Sequence, residues 1–125
     1  PDTEKIIAVE KDILTGKILT ALGSRIPNLH VAIKPFEQTG VDQKRSIDLI
    51  VSNIPFGNFP VYDPEFKGEG VTEKIHNYFF AKGLEKLRDG GLMAYITTDG
   101  FLSSPSNKTV REYLFKRADF ISLTV

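Results

Sequence analysis

The chain contains no cysteine, which excludes a disulfide framework and any thiolate metal site. That fits a reducing interior, so a cytoplasmic location is the expectation. No apolar stretch approaches the roughly 18 residues of a membrane span, and no signal-peptide pattern opens the chain. Neither sign of charge is in excess, since sixteen basic residues stand against sixteen acidic ones. Global charge therefore argues neither for nor against nucleic acid, and a binding patch would have to be local. The two histidines, His30 and His76, are isolated and lack ligand spacing, so no metal site is expected. Repeats and low-complexity tracts are also lacking.

What is present is an alternation of short apolar runs with helical periodicity. The length, 125 residues, suits one compact domain. Lys5 to Glu10 reads as a buried strand ending in an acid. Asp12 can cap a helix in which Leu14, Ile18, Ala21 and Leu22 share a face, with Gly23 as its stop. Leu29 to Ile33 is the next strand, and Glu37 to Ser46 reads as a polar loop. Ile47 to Ser52, with the apolar run Leu49-Ile50-Val51 at its centre, reads as a parallel strand buried on both faces. Asn58 to Gly70 reads as a loop carrying Phe59, Tyr62 and Phe66. A helix follows over Thr72 to Leu87, with Phe80, Leu84 and Leu87 on one face, and Asp89-Gly90-Gly91 ends it. Leu92 to Thr97 is a strand, Asp99 to Asn107 a polar loop, Thr109 to Lys116 a short helix and Phe120 to Val125 a last strand. Such an order predicts an α/β fold with a mostly parallel sheet covered by helices on both faces. Ligands of such sheets bind at the carboxyl ends of the strands. Glu10, Asn53 and Thr97-Thr98 all fall there.

The most informative string is Asp48-Leu49-Ile50-Val51-Ser52-Asn53-Ile54-Pro55-Phe56-Gly57. Read alone, Asn53 ends a strand, Pro55 makes a turn and Phe56 fills a core. Read with its surroundings, the string resembles the Asn-Pro-Pro-Tyr/Phe loop of S-adenosylmethionine-dependent amino-methyltransferases, which methylate the exocyclic amine of adenine in DNA. The Asn-Ile-Pro-Phe-Gly version is similar to that of large methylase–helicase fusion proteins of bacterial mobile elements. The resemblance implies that Asn53 and the Ile54 carbonyl accept hydrogen bonds from the amine and turn its lone pair outward. Pro55 fixes its predecessor in extended geometry. Phe56 stacks on a base that has left the duplex. Ile54 stands where the family more often has Pro, a tolerable change because only the backbone carbonyl is used.

The same resemblance implies a Rossmann-like methyltransferase fold over residues 1–125 and S-adenosylmethionine as cofactor. Glu10 matches the acid that bonds the cofactor's ribose, and Lys11 would lie near its adenine. Phe36 matches the aromatic that holds this adenine. Pro35 stands where an acid is usual, so Glu37 would substitute from the next position. The helix–Gly-Gly–strand unit from Ile75 to Ile96 is similar to the one that follows the catalytic loop in these enzymes. Asp12 is read as a cap, and His76 as a helix-surface or loop-facing residue.

No Gly-rich turn precedes Glu10, so the resemblance runs from just before the family's second strand to its sixth. Pro1 in place of Met, and an apolar segment at the very end, point to a segment of a larger protein. Three expectations follow: weak or absent cofactor binding by this segment alone, dependence on the rest of the methyltransferase domain, and self-association through an exposed sheet edge or a groove there. DNA is the expected partner through the parent protein, with Lys67, Lys108 and Arg111 nearest phosphate. An RNA or protein-glutamine methyltransferase and a non-catalytic α/β interaction domain are the alternatives.

Overall fold

The computed structural model describes residues 4–40 and 44–125. These divide into two compact units, Pro1–Gly40 and Val41–Val125, each described by itself. Part of the polar loop expected over Glu37 to Ser46, namely Val41 to Gln43, lies outside the described residues, as does Pro1.

In the first unit β1 (Ile6–Glu10) and β2 (Leu29–Ile33) pair in parallel, from Ile6 opposite Leu29 to Glu10 opposite Ile33. Between them runs α1 (Ile13–Gly23). Asp12 starts this helix as expected, its carboxylate accepting the Thr15 amide at 2.7 Å. The face that α1 turns inward is not the expected one. Leu14, Ile18 and Leu22 are 69%, 52% and 70% exposed. The sheet is met instead by Gly16 and Gly23, where a Cβ would overlap Ile33 and Leu29. Glycine lets the helix lie close to the strands, and a hydrophobic-periodicity reading gives glycine no weight. A single-turn 3-10 helix, Phe36–Gln38, follows β2.

The second unit contains β3 (Ile47–Asn53), α2 (Ile75–Lys86), β4 (Leu87–Ile96), α3 (Gly100–Ser103) and α4 (Lys108–Phe115). β3 and β4 are parallel, with Leu49 opposite Leu92 and Asn53 opposite Ile96. Helix α2 runs into β4 with no loop, Leu87 being the cap of one and the first residue of the other. Its last carbonyls, Glu85 and Lys86, accept the amides of Arg45 and Ser46, both at 3.0 Å. The Asp89-Gly90-Gly91 turn therefore lies inside β4, where the pairing jumps from Ile47–Leu87 to Leu49–Leu92 and Gly90 takes φ +81.

Helix α2 lies on one face of this sheet. Tyr95 donates to the Phe79 carbonyl at 3.0 Å and meets the Phe80 ring edge-on. Burial pushes the Tyr95 phenol above its usual range. The opposite face, with Leu49, Val51, Leu92 and Ile96, is exposed, so β3 is not covered on both faces within this unit. The buried stripe of α2 is Asn77, Tyr78, Ala81, Lys82 and Lys86, whereas Phe80, Leu84 and Leu87 are half-buried. Two segments expected to be loops, Asn58 to Gly70 and the polar Asp99 to Asn107, contribute core residues. Phe66 and Phe101 are buried, and Phe101 stacks on Phe80 at 4.1 Å. Val110 and Leu114 bury one face of α4. No strand forms over Phe120 to Val125, whose large apolar side chains are exposed. A strand exists only with a partner, and none of the described residues pairs with this segment.

The fold is thus α/β with one short parallel sheet in each unit. None of the described helices is long and apolar enough to cross a membrane. Gly83 faces the Tyr95 hydroxyl so closely that a Cβ would overlap it. Gly83→Ala is expected to lower stability by about 1–3 kcal/mol. Chemical unfolding would read the loss, and Tyr95→Phe in the same chain should restore part of it.

Candidate active site

Asn53 is the last residue of β3, and its exposed side chain has no hydrogen-bond partner among the described residues. Ile54 is 1% exposed. Its amide donates to the Ile96 carbonyl at 3.2 Å, adding one rung beyond the strand. Proline, usual at this position in the resembled loop, could not make that bond because it has no N–H. Isoleucine therefore ties the turn to β4 and fills the core beneath it, leaving its carbonyl without a partner among the described residues. Pro55 is half-buried and Phe56 is 59% exposed. Two acceptors without partners among the described residues and an exposed ring thus follow one another along the chain at the carboxyl end of β3.

Several ties hold the turn. The Gly57 carbonyl lies 3.0 Å from Nδ1 of His76. A carbonyl only accepts, so Nδ1 carries the proton and Nε2 is left as an acceptor. Burial lowers the His76 pKa, the Gly57 bond opposes this and Lys74 adds to it. The Phe59 ring packs against Gly57, where a Cβ would overlap it. Farther along, Asp63 caps the 3-10 turn Pro64–Phe66 through the Glu65 amide at 3.0 Å. Its other oxygen accepts from Tyr78 at 2.6 Å and Lys82 at 3.1 Å. Lys82 also reaches Glu65 at 3.2 Å, and Lys44 bridges Glu65 and Glu85. Burial pushes the Asp63 carboxyl up, but the Tyr78, Glu65 and Lys82 hydrogen bonds outweigh it and hold it below the usual range.

On the β4 side, Thr97 follows the residue paired with Asn53, and its hydroxyl is buried without a partner among the described residues. Arg111 donates to the carbonyls of Phe101 and Ser104, at 3.1 and 2.6 Å. Asn107 accepts from Lys74 and Asn77, at 3.4 and 3.1 Å. Arg111, expected near phosphate, thus clamps the segment after β4. Lys108 pairs loosely with Glu112 at 3.8 Å, and Lys67 is exposed beside Tyr62. His30 lies on β2, opposite Ile7. No cluster of metal-ligating side chains occurs among the described residues.

In the first unit, Glu10 ends β1 and accepts the Asp12 amide through Oε1 at 2.9 Å, leaving Oε2 open. Glu10, Lys11, Asp12 and Ile13 line an open hollow of about 410 Å³. The Thr15 hydrogen bonds lower the Asp12 pKa, in keeping with a cap rather than a ligand. Phe36 and Glu37 lie in the turn after β2, half-buried, at the same end of the β1–β2 sheet as Glu10. The sequence-predicted residues therefore gather into two groups, one in each unit.

A family model, the Eco57I restriction-modification methylase, matches residues 5–124. This chain belongs to the Eco57I restriction-modification methylase family. Among curated proteins, Defense against restriction protein B of Escherichia phage P1 is 30% identical over 115 residues, which cover 87% of this chain. The match spans only 5% of that relative's length. No solved structure matches. Asp63, Tyr78 and Lys82 escaped the sequence reading of this Eco57I-family chain. Their sequence signal was slight: Tyr78, Lys82 and Lys86 recur at four-residue intervals on one helix face.

Proposed function

We propose that this chain forms part of an adenine-specific DNA methyltransferase that uses S-adenosylmethionine and belongs to a methylase–helicase type of protein. The observation that carries the reading is the pair of open acceptors, the Asn53 side chain and the Ile54 carbonyl, beside the exposed Phe56 ring. An exocyclic amine conjugated to a ring is a poor nucleophile. Acceptors on both of its hydrogens draw it toward tetrahedral geometry and free its lone pair. Phe56 suits a base that has left the duplex, because stacking replaces the neighbours the base has lost.

The donor residues of the first unit fit a nucleoside. The free oxygen of Glu10 can accept from ribose hydroxyls, its hollow is open, and Phe36 stands at the same sheet end. When bound, S-adenosylmethionine supplies an electrophilic methyl group. Glu10 and Phe36 would hold that donor, while Asn53 and the Ile54 carbonyl would orient the amine that takes the methyl and gives up a proton to solvent. The chain's own part is positioning and preorganised hydrogen bonding.

The test is transfer of labelled methyl from S-adenosylmethionine to unmodified DNA by the native protein. Label recovered as N6-methyladenine is the expected result. Label on cytosine, on RNA or on glutamine would replace the substrate assignment. Absence of transfer to any acceptor would refute the catalytic reading.

A further inference from the structure

The segment between Gly57 and Gly70 joins a fixed backbone to exposed rings. Its backbone is held by His76 at Gly57, by the Val61 amide on the Thr72 carbonyl at 2.9 Å, and by the buried Asp63. Between these ties, side chains alternate: Val61 is half-buried, Tyr62 is 86% exposed and Asp63 is 6% exposed. Phe56, Phe59 and Tyr62 stand exposed at three-residue intervals from the methyltransferase motif onward. Tyr62 also lines a hollow of about 270 Å³ with Pro64, Lys67 and Thr72. The acid at that hollow, Asp63, is already engaged by Tyr78 and Lys82, which leaves Lys67 as its unopposed charge.

We infer that Tyr62 is a stacking platform for the nucleotide that flanks the target base, with Lys67 facing that nucleotide's phosphate. The inference rests on the reading of Asn53 to Phe56 as a base-amine site. A flat amphipathic ring beside a lone cation matches a base joined to a phosphate. Flipping one base leaves its neighbour with an uncovered face, and an aromatic ring held in place can cover it at little entropic cost.

The experiment uses the native protein, mixed-sequence duplex DNA and labelled S-adenosylmethionine, with KM and kcat measured for Tyr62→Ala and Tyr62→Phe. Stacking predicts that Tyr62→Ala raises the KM for DNA roughly 5- to 150-fold, with the KM for S-adenosylmethionine unchanged. Tyr62→Phe should stay near the unmodified protein. Lys67→Ala should flatten the salt dependence of DNA binding by about one unit of slope. Tyr62 is exposed, so its replacement leaves folding intact. An unchanged DNA KM in Tyr62→Ala overturns the inference, as does an equal loss in Tyr62→Phe. Failure of the underlying reading looks different, because the unmodified protein would then transfer no methyl to DNA.

Discussion

Asn53→Ala is expected to lower the kcat for methyl transfer by at least about 10²-fold, the usual scale for losing one preorganised polar contact that forms fully only in the transition state. The bond from the amine to Asn53 strengthens as the nitrogen becomes tetrahedral, so the loss should fall on kcat while the KM for DNA holds. Asn53→Asp keeps an acceptor oxygen in the same place and should retain more activity than alanine. The Asn53 side chain is exposed and unpartnered among the described residues, so neither variant should disturb folding. Single-turnover transfer to DNA by the native protein separates the chemical step from binding. Equal activity in the asparagine and alanine forms would remove Asn53 from the mechanism.

Asp63→Ala is expected to give the largest structural effect. The Asp63 and Lys82 side chains are 3% and 5% exposed. Removing one partner of a buried pair costs about 3–5 kcal/mol when the remaining charge is left alone, and the lower end is expected because Lys82 keeps Glu65 at 3.2 Å. The Tyr78 hydroxyl and the Glu65 amide lose their acceptor in the same step. Hydrogen exchange between Val61 and Lys82 should accelerate roughly 10²- to 10³-fold, as local opening becomes easier. Acid should reproduce the effect in the unmodified chain. The folded pKa of Asp63 lies below its ordinary 3.8, so its contribution is complete above that value and is lost as pH falls through the lowered one. Glu65, lowered from 4.5 with burial opposed by Lys82 and then Lys44, acts in the same direction. Protection of these amides, corrected for the pH dependence of intrinsic exchange, that stays unaltered as the pH falls progressively below 3.8 would contradict this account.

The strands of this chain were legible where a local rule sufficed. Ile6–Glu10, Leu29–Ile33 and Ile47–Asn53 are short runs of β-branched and aliphatic residues, and Asp12 caps the helix that its position announces. Partnership between distant residues was not legible. The inward stripe of α2 contains Lys82, which is tolerated there only because Asp63 and Glu65 reach it from 19 and 17 residues away. Phe101 looked like one ring in a polar loop until Phe80 supplied its stacking partner. Phe120 to Val125 has the composition of a strand, yet no described strand lies beside it. At the candidate site, the strand end at Asn53 and the turn that follows could be read because a β-run ending at Asn-x-Pro carries its own geometry. The extra rung at Ile54 and the His76–Gly57 bond could not, since each depends on a neighbour brought close by folding.

The direct passage from α2 into β4 restricts which changes of length this region tolerates. One residue inserted between Lys86 and Leu87 would turn the helix by about 100° relative to the strand. If the strand slid instead, all its side chains would change face. Either shift would reach the site at both ends, because the first turn of α2 holds Gly57 and the end of β4 pairs with Asn53. The bulge at Asp89-Gly90-Gly91 is less constrained: Asp89 and Gly90 are exposed and the pairing is already out of register. Length variation among functional relatives should therefore gather at that bulge and be missing from the helix–strand junction three residues before it.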